Sequence, residues 1–351
     1  MKNILVIGLG KVGRLVAELL NQDFNVTGLD KFTEGDWPFK VIKHDLSKGD
    51  EYPDILKNFD AVVSCMPYTM NLPIATAARE LNIHYFDLTE DVATTKAIRS
   101  MATDSCSILA PQCGLAPGFI GIVGAGLAYD FEKIRSIDLR VGALPLHPSG
   151  LLGYSFNWSP AGLVNEYLND CKVIRDGKIV HTPSLEGLET LHITGQTLEA
   201  FSTSGGLGTM CETFEGKTQS LNYKSIRYPG HCKQMRFLFN ELLLRNHKKL
   251  AEEILVTAKP PVQEDRVYVY ATVEGWKNSG ILEREEFVRD YRAIEILGKK
   301  RNAIAWTTAA SVCAIVEMVE KGDLPGSGFL KQESINLNKF MATKNGQYYS
   351  I

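Results

Sequence analysis

No C-x-x-C pair occurs among the seven cysteines, at 65, 106, 113, 171, 211, 232 and 313, and no His-rich segment stands near them. That excludes the usual zinc spacings and a secreted disulfide framework, so no metal is expected and reduced thiols in a cytoplasmic protein are. Charge of one sign is lacking too: 38 Lys and Arg stand against 41 Asp and Glu, a formal net charge of −3. Such a balance leaves no electrostatic footprint for nucleic acid or an anionic membrane. The one dense basic run, GKKR at 298–301, sits where a solvated turn is expected. Before Gly8 there are one Lys and four apolar residues, too few for a signal peptide. Residues 108–129 contain no formal charge, but Pro111, Gln112 and Pro117 interrupt them. A strand, a loop and a buried helix are expected there instead of a membrane span. Internal repeats and low-complexity segments are absent.

What is present begins with length. At 351 residues the chain exceeds one compact core, and two domains are expected. It opens on NILVIGLGKVGRLVAELL, an apolar run followed by Gly8-x-Gly10-x-x-Gly13 and then by Val12, Leu15, Val16, Leu19 and Leu20 at helical spacing. A second short strand, NVTGLD, ends at Asp30 about twenty residues after the first glycine. Strand, glycine loop, helix, strand and acid in this order are the context a dinucleotide fingerprint requires. Gly8 permits the tight turn, Gly10 lets the backbone approach a pyrophosphate at the helix N-terminus, and Gly13 brings helix and strand together. Lys11 and Val12, in the first helical turn, belong to the same cradle. Asp30 can accept from a ribose diol and would repel a 2′-phosphate, which favours NAD. Lys31 beside it keeps NADP as the alternative.

FKVIKHD, DAVVSCMP, IHYFDL and CSILAP read as further strands, with helices such as LPIATAAREL between several of them. The fold class expected is α/β, a Rossmann-type doubly wound parallel sheet. Ligands lie beyond the carboxyl ends of such strands, which places Asp45, Leu46, Met66, Pro67, Asp87, Gly114, Leu115 and Pro117 along the cofactor crevice or close to it.

After about residue 118 the pattern changes. KVIRDGKIV signals a hairpin about Asp176-Gly177, and TLEAFST and RVYVYATVEG alternate as half-buried antiparallel strands do. Helices are expected at about 233–245 and 247–258. The second domain is therefore α+β on a mostly antiparallel sheet. Near Ile304 a long helical run resumes and stops at Gly322. The domains expected are 1–118 plus about 303–351 for the dinucleotide, and 119–302 for substrate binding and dimerisation.

The segments VIGLGKVG, SCMPYTMNLPIATAARELNIHYFDL, CGLAPGFIGIVGAGLA, NWSPAGLVNEYL, EAFSTSGGLGTMCETF, YKSIRYPGH and LPGSGFLKQESI, in this order and spacing, resemble the saccharopine dehydrogenase-like family. Within it the lysine 6-dehydrogenase branch is the most similar. The resemblance implies NAD(P)-dependent oxidation of an amine carbon, for the lysine branch conversion of the L-lysine side-chain amine to a semialdehyde with release of ammonia. It also implies a homodimer. One departure stands out: the residue before CGLAPG is commonly acidic in the family and is Gln112 here.

Such chemistry assigns roles to particular residues. A substrate α-carboxylate asks for a guanidinium fork, and Arg227, held by the Tyr228-Pro229-Gly230 turn, is the candidate; otherwise it makes a surface ion pair. His231 is the one histidine suited to proton transfer or substrate contact, unless it is a turn histidine bonded to a carbonyl. Thr203 and Ser204 offer hydroxyls at a strand end, or form a plain turn. Trp158 could cover an aliphatic stem or a nicotinamide, or fill the core. Glu166 could face a substrate amine, though a solvated helix surface is the expected place. Three functions compete: a lysine 6-dehydrogenase-like enzyme, a saccharopine or carboxylated-polyamine dehydrogenase needing further cations from Arg140, Lys217, Lys224 or Arg236, and a non-catalytic dinucleotide sensor.

Overall fold

The computed structural model describes residues 1–46, 52–278 and 280–351. The chain divides into two compact units, Met1–Phe119 with Ala305–Ile351, and Ile120–Ile304.

In the first unit the short apolar runs become β1 (Asn3–Ile7), β2 (Asn25–Asp30), β3 (Lys40–Lys43), β4 (Ala61–Ser64), β5 (His84–Asp87) and β6 (Ile108–Ala110). A return strand, Gly328–Phe329, joins β6 at the edge. From that edge the order is return strand, β6, β5, β4, β1, β2, β3, and every pair is parallel. The chain order reverses between β4 and β1, the switch point at which doubly wound sheets bind ligands. Parallel strands are covered on both faces, which is why Ile4, Leu5, Val6 and Ile7 are all fully buried. Helix α1 (Lys11–Leu20) packs Leu15, Val16, Leu19 and Leu20 into the core. The helix Ala303–Glu320 is long and apolar enough to cross a membrane, but it is mostly buried inside the protein, as a core helix is. Trp306 on it is fully buried against Tyr349, which stacks on Phe119 at 3.8 Å.

The second unit holds β7 (Lys133–Pro145), β8 (Cys171–Arg175), β9 (Lys178–Thr182), β10 (Glu189–Ile193), β11 (Gln196–Ser202), β12 (Thr218–Arg227), β13 (Asp265–Trp276) and β14 (Leu282–Arg292). Its main path runs β10, β11, β12, β7, β13, β14, with β8 pairing both β12 and β9. All pairs are antiparallel except β12 with β7. The β8–β9 hairpin turns on Asp176 and Gly177, both at positive φ, as a two-residue hairpin requires.

Three local expectations are corrected. β13 is buried on both faces along nearly its whole length, not half-buried; it is a central strand between β7 and β14, and Arg266 lies over the Tyr268 ring at 4.3 Å. The helix expected over 233–245 breaks into an α-turn His231–Arg236, a π-turn Phe237–Glu241 and a 3₁₀ turn Leu244–Asn246, with Leu243 left-handed at φ 57°. GKKR starts in the turn at Leu297-Gly298 and continues as the strand Lys299–Arg301.

Candidate functional site

The loop after β1 shows why each glycine of the fingerprint stands where it does. Gly8 has φ 87°, and a Cβ there would lie 2.9 Å from Met66 Sδ. At Gly13 a Cβ would stand 1.8 Å from the Gly8 carbonyl oxygen, which fixes helix against loop. Gly10 differs: a Cβ there would meet nothing within 4 Å, and no side chain caps the helix that Gly10 starts. The first N–H groups of a helix have no partner within it, and such an N-terminus suits a phosphate. Gly10→Ala is accordingly expected to leave the unfolding temperature unchanged while weakening dinucleotide binding about tenfold or more, measured by fluorescence titration. Equal affinity for wild type and variant would contradict this reading. Lys11 is exposed and Val12 partly buried in the first turn of α1.

Asp30 ends β2 beside this loop. Its carboxylate accepts from the backbone N–H of Leu9 at 2.6 Å and of Phe32 at 2.9 Å, with lone pairs remaining for a diol. Lys31 is exposed and lies over the Phe32 ring at 5.1 Å. Asp45 is partly buried and Leu46 buried beyond β3, while Met66 and the exposed Pro67 follow β4. Gly114, Leu115 and Pro117 form a buried loop beyond β6, in which Phe119 N–H donates to the Gly114 carbonyl. The Gly10, Asp30 and switch-point geometry thus fits a dinucleotide.

Asp87 ends β5, at the carboxyl edge of the sheet. It is fully buried and accepts from the Tyr85 hydroxyl at 2.6 Å and from the N–H groups of Thr89 (2.9 Å) and Gln112 (3.0 Å), so it ties together the loops after β5 and β6. Gln112 itself is buried and left-handed at φ 65°. Burial raises Asp87 to about 6, and burial with the neighbouring Asp91 and Asp87 charges raises Glu90 to about 7. Both carboxyls hold their protons more tightly folded than unfolded. Each therefore costs stability as pH climbs from the ordinary carboxylate range through its folded value. Glu90→Gln is expected to raise the unfolding temperature at pH 8 by about 2–5 °C and to give no gain near pH 4. A thermal melt series decides it; equal gain at both values would show that the charge is not the cause.

In the second unit, β12 carries Arg227, Ser225 and Tyr223 on one sheet face and Ile226, Lys224 and Asn222 on the other, since side chains alternate along a strand. Arg227 is 3% exposed. Its Nε donates to the Tyr167 hydroxyl at 2.9 Å and its Nη1 to the Ile226 carbonyl at 2.8 Å. The guanidinium lies over the Tyr154 ring at 4.9 Å and near that of Tyr167 at 5.8 Å. Among the described residues no hydrogen bond reaches its Nη2. Arg227 is thus no surface ion pair.

His231, one residue past the left-handed Gly230, is fully buried. Its Nδ1 lies 2.8 Å from the Leu152 carbonyl and its Nε2 3.0 Å from the Tyr167 hydroxyl. Burial first, and the Arg227 charge second, press its pKa down to about 3. The turn is held from β11: the Glu199 carboxylate accepts from Gly230 N–H at 2.8 Å and Cys232 N–H at 2.6 Å. Trp158 is partly buried and donates to the Tyr154 hydroxyl at 2.9 Å. The Thr203 hydroxyl pairs with Ser225 at 2.8 Å, and the Ser204 N–H donates to the Glu166 carbonyl; both residues are buried.

Glu166, expected on a solvated surface, is only 5% exposed, because the helix Pro160–Leu168 buries Gly162, Leu163, Val164, Glu166 and Tyr167 together. Its charge reaches Arg227, Tyr154 and Tyr167. The other cations named above do not join Arg227. Arg140 and Lys224 share the opposite sheet face and both bind Glu189 at 2.5 Å. Arg236 pairs with Glu186, and Lys217 is exposed. Tyr154, Tyr167 and Glu199 went unmarked in the sequence; the tyrosine within NWSPAGLVNEYL was the available signal, but its partner is 60 residues away. No metal-binding cluster of His, Cys, Asp and Glu occurs among the described residues.

A parallel doubly wound sheet with this glycine loop, joined to a mixed-sheet unit, defines the class of two-unit dinucleotide-binding proteins. The chain belongs to the saccharopine dehydrogenase family: residues 4–107 match the saccharopine dehydrogenase NADP binding domain and residues 114–344 the saccharopine dehydrogenase C-terminal domain. Among curated relatives, saccharopine dehydrogenase [NADP(+), L-glutamate-forming] of Saccharomyces cerevisiae is 26% identical over 204 residues, 53% of this chain and 45% of that protein. Mitochondrial alpha-aminoadipic semialdehyde synthase of Mus musculus is 22% identical over 255 residues, 67% of this chain and 27% of that protein. The chain thus spans less than half the length of these relatives. Apo saccharopine dehydrogenase (L-Glu forming) from Saccharomyces cerevisiae superimposes with a TM-score of 0.77 at 17% identity, covering 100% of this chain and 98% of that one. The homospermidine synthase of Legionella pneumophila, solved with NAD, gives 0.67 at 12% identity, covering 99% and 89%. At these identities the two structures show the shared fold.

Proposed function

We propose that this protein is an NAD(P)-dependent oxidoreductase acting on a C–N bond of an amino acid, with the L-lysine side-chain amine as substrate. The observation that carries this reading is Arg227, a buried guanidinium fixed on two sides, with an unpaired Nη2 edge and the buried carboxylate of Glu166 within electrostatic reach. One cation and one acid match an amino acid with one α-carboxylate and a distal amine. The bound nicotinamide would supply the hydride acceptor. The residues that would hold the dinucleotide are Gly8, Gly10, Gly13 and Asp30, and the Asp30 carboxylate favours NAD by repelling a 2′-phosphate. Hydride can leave the carbon only once its nitrogen has a free lone pair. A lysine ammonium, with a pKa of about 10.4 in water, must first lose a proton, so activity should rise on the alkaline side.

A second reading, a saccharopine or carboxylated-polyamine dehydrogenase, draws its support from the relatives. Against it stands the placement of Arg140 and Lys224 on the far sheet face, already paired with Glu189 and, for Arg140, with Asp138. A substrate panel separates the two. With L-lysine, cadaverine and saccharopine compared at one alkaline pH, L-lysine should be turned over best and cadaverine, which lacks the carboxylate, poorly. Saccharopine as the preferred substrate would transfer the protein to the second reading. The seven free thiols fit a reducing compartment, and a homodimer is part of this proposal.

A further inference from the structure

Tyr167, His231 and the main chain at Leu152 form a hydrogen-bond series whose direction is fixed at both ends. The Leu152 carbonyl can only accept, so Nδ1 of His231, 2.8 Å away, carries the ring proton. Nε2 is then an acceptor, and the Tyr167 hydroxyl at 3.0 Å donates to it. The oxygen of that hydroxyl accepts from Arg227 Nε–H at 2.9 Å, and an arginine can act only as donor. Every donor in the series therefore points from the guanidinium toward Leu152, and both ring nitrogens are spent. The ring is also packed on its faces and edges, parallel to Phe201 at 6.2 Å and edge-on to Tyr154 at 5.3 Å. A base that meets the substrate amine directly needs a free nitrogen, and His231 has none; a proton would reach it only through the Tyr167 hydroxyl, whose oxygen is held by Arg227.

We propose that His231 and Tyr167 are positioning residues for Arg227, and that the histidine of the RYPGH segment takes up no proton in the reaction. This rests on the reading of Arg227 as carboxylate anchor. The Tyr167 oxygen meets Nε only while its proton is directed at His231, and the Ile226 carbonyl holds Nη1. The two contacts fix the guanidinium plane and leave Nη2 to a ligand. Without the acceptor on His231 the tyrosine hydroxyl turns away, and the arginine gains freedom that a bound carboxylate must remove. The low pKa of the buried ring agrees with a permanently neutral histidine.

The test combines ring-nitrogen NMR of the full chain with steady-state kinetics on L-lysine. The His231 signals should show the neutral Nδ1–H tautomer, unchanged from pH 5 to pH 9; titration in that range, or an Nε2–H tautomer, would overturn the proposal. Tyr167→Phe and His231→Leu should raise KM for L-lysine about 10- to 100-fold, the cost of losing an oriented bond to a charged group, with the pH limbs unmoved. His231→Gln, whose amide oxygen can stand in for Nε2, should recover most of the loss. A fall in kcat at constant KM, with one limb of the pH profile gone, would make His231 a proton-transfer residue and end the proposal. If the wild type oxidises no L-lysine, the choice of substrate fails on its own. The Arg227 Nε–H signal in Tyr167→Phe still decides the positioning claim: a shifted or broadened signal supports it, an unchanged one refutes it.

Discussion

Arg227→Lys is expected to lower kcat/KM for L-lysine by about 100-fold or more, the loss that follows when one partner of a buried charge pair is weakened. Lysine keeps the charge but not the geometry. Its ammonium cannot hold Tyr167 and the Ile226 carbonyl and also present a planar edge to two carboxylate oxygens, as the guanidinium does. The stacking over Tyr154 is lost as well. Most of the effect should fall on KM, because the carboxylate is remote from the reacting carbon and is bound alike in ground and transition states. Cadaverine, with no carboxylate, should be affected by less than about threefold. An equal loss with both substrates would mean that Arg227 supports the fold of the unit and not its ligand.

Gly13→Ala is expected to disrupt the first unit, lowering stability by about 3 kcal/mol or more and abolishing dinucleotide binding. The added methyl would stand 1.8 Å from the Gly8 carbonyl oxygen, and that atom is backbone, with no rotamer to change. Gly8 cannot retreat either, since it sits at φ 87° against Met66 and Cys65. Denaturant unfolding measures the loss. Set beside Gly10→Ala, it separates a glycine that the fold needs from one that a ligand needs. A Gly13→Ala protein of native stability would show that helix and loop can part without cost.

The first unit was legible because its signals are local. Ile4–Ile7, the glycine spacing and the apolar face of α1 lie within twenty residues, and each strand end falls where the parallel order requires. The return strand was not legible: two residues, Gly328 and Phe329, pair with Ile108 and Leu109 more than two hundred positions earlier. Nor was the parallel pairing of β12 with β7, which local alternation cannot distinguish from an antiparallel one. The site divides the same way. RYPGH announces a turn, but what makes Arg227 a fixed group is Tyr167 and Tyr154 on segments 60 and 73 positions away, and what holds the turn is Glu199 on β11. Sequence also left Glu166 on a solvated face, since its burial depends on neighbours that only the folded unit assembles.

Oxidation of the lysine side-chain amine is tested most directly by the absorbance of reduced nicotinamide formed from L-lysine, followed from about pH 7 to about pH 10 with NAD and with NADP, ammonia being measured in the same samples. A lysine-dependent signal that grows as the free amine fraction rises is expected, with one ammonia for each reduced nicotinamide and a faster rate with NAD. Silence with L-lysine at every pH, with saccharopine reducing the same cofactor, would contradict this reading.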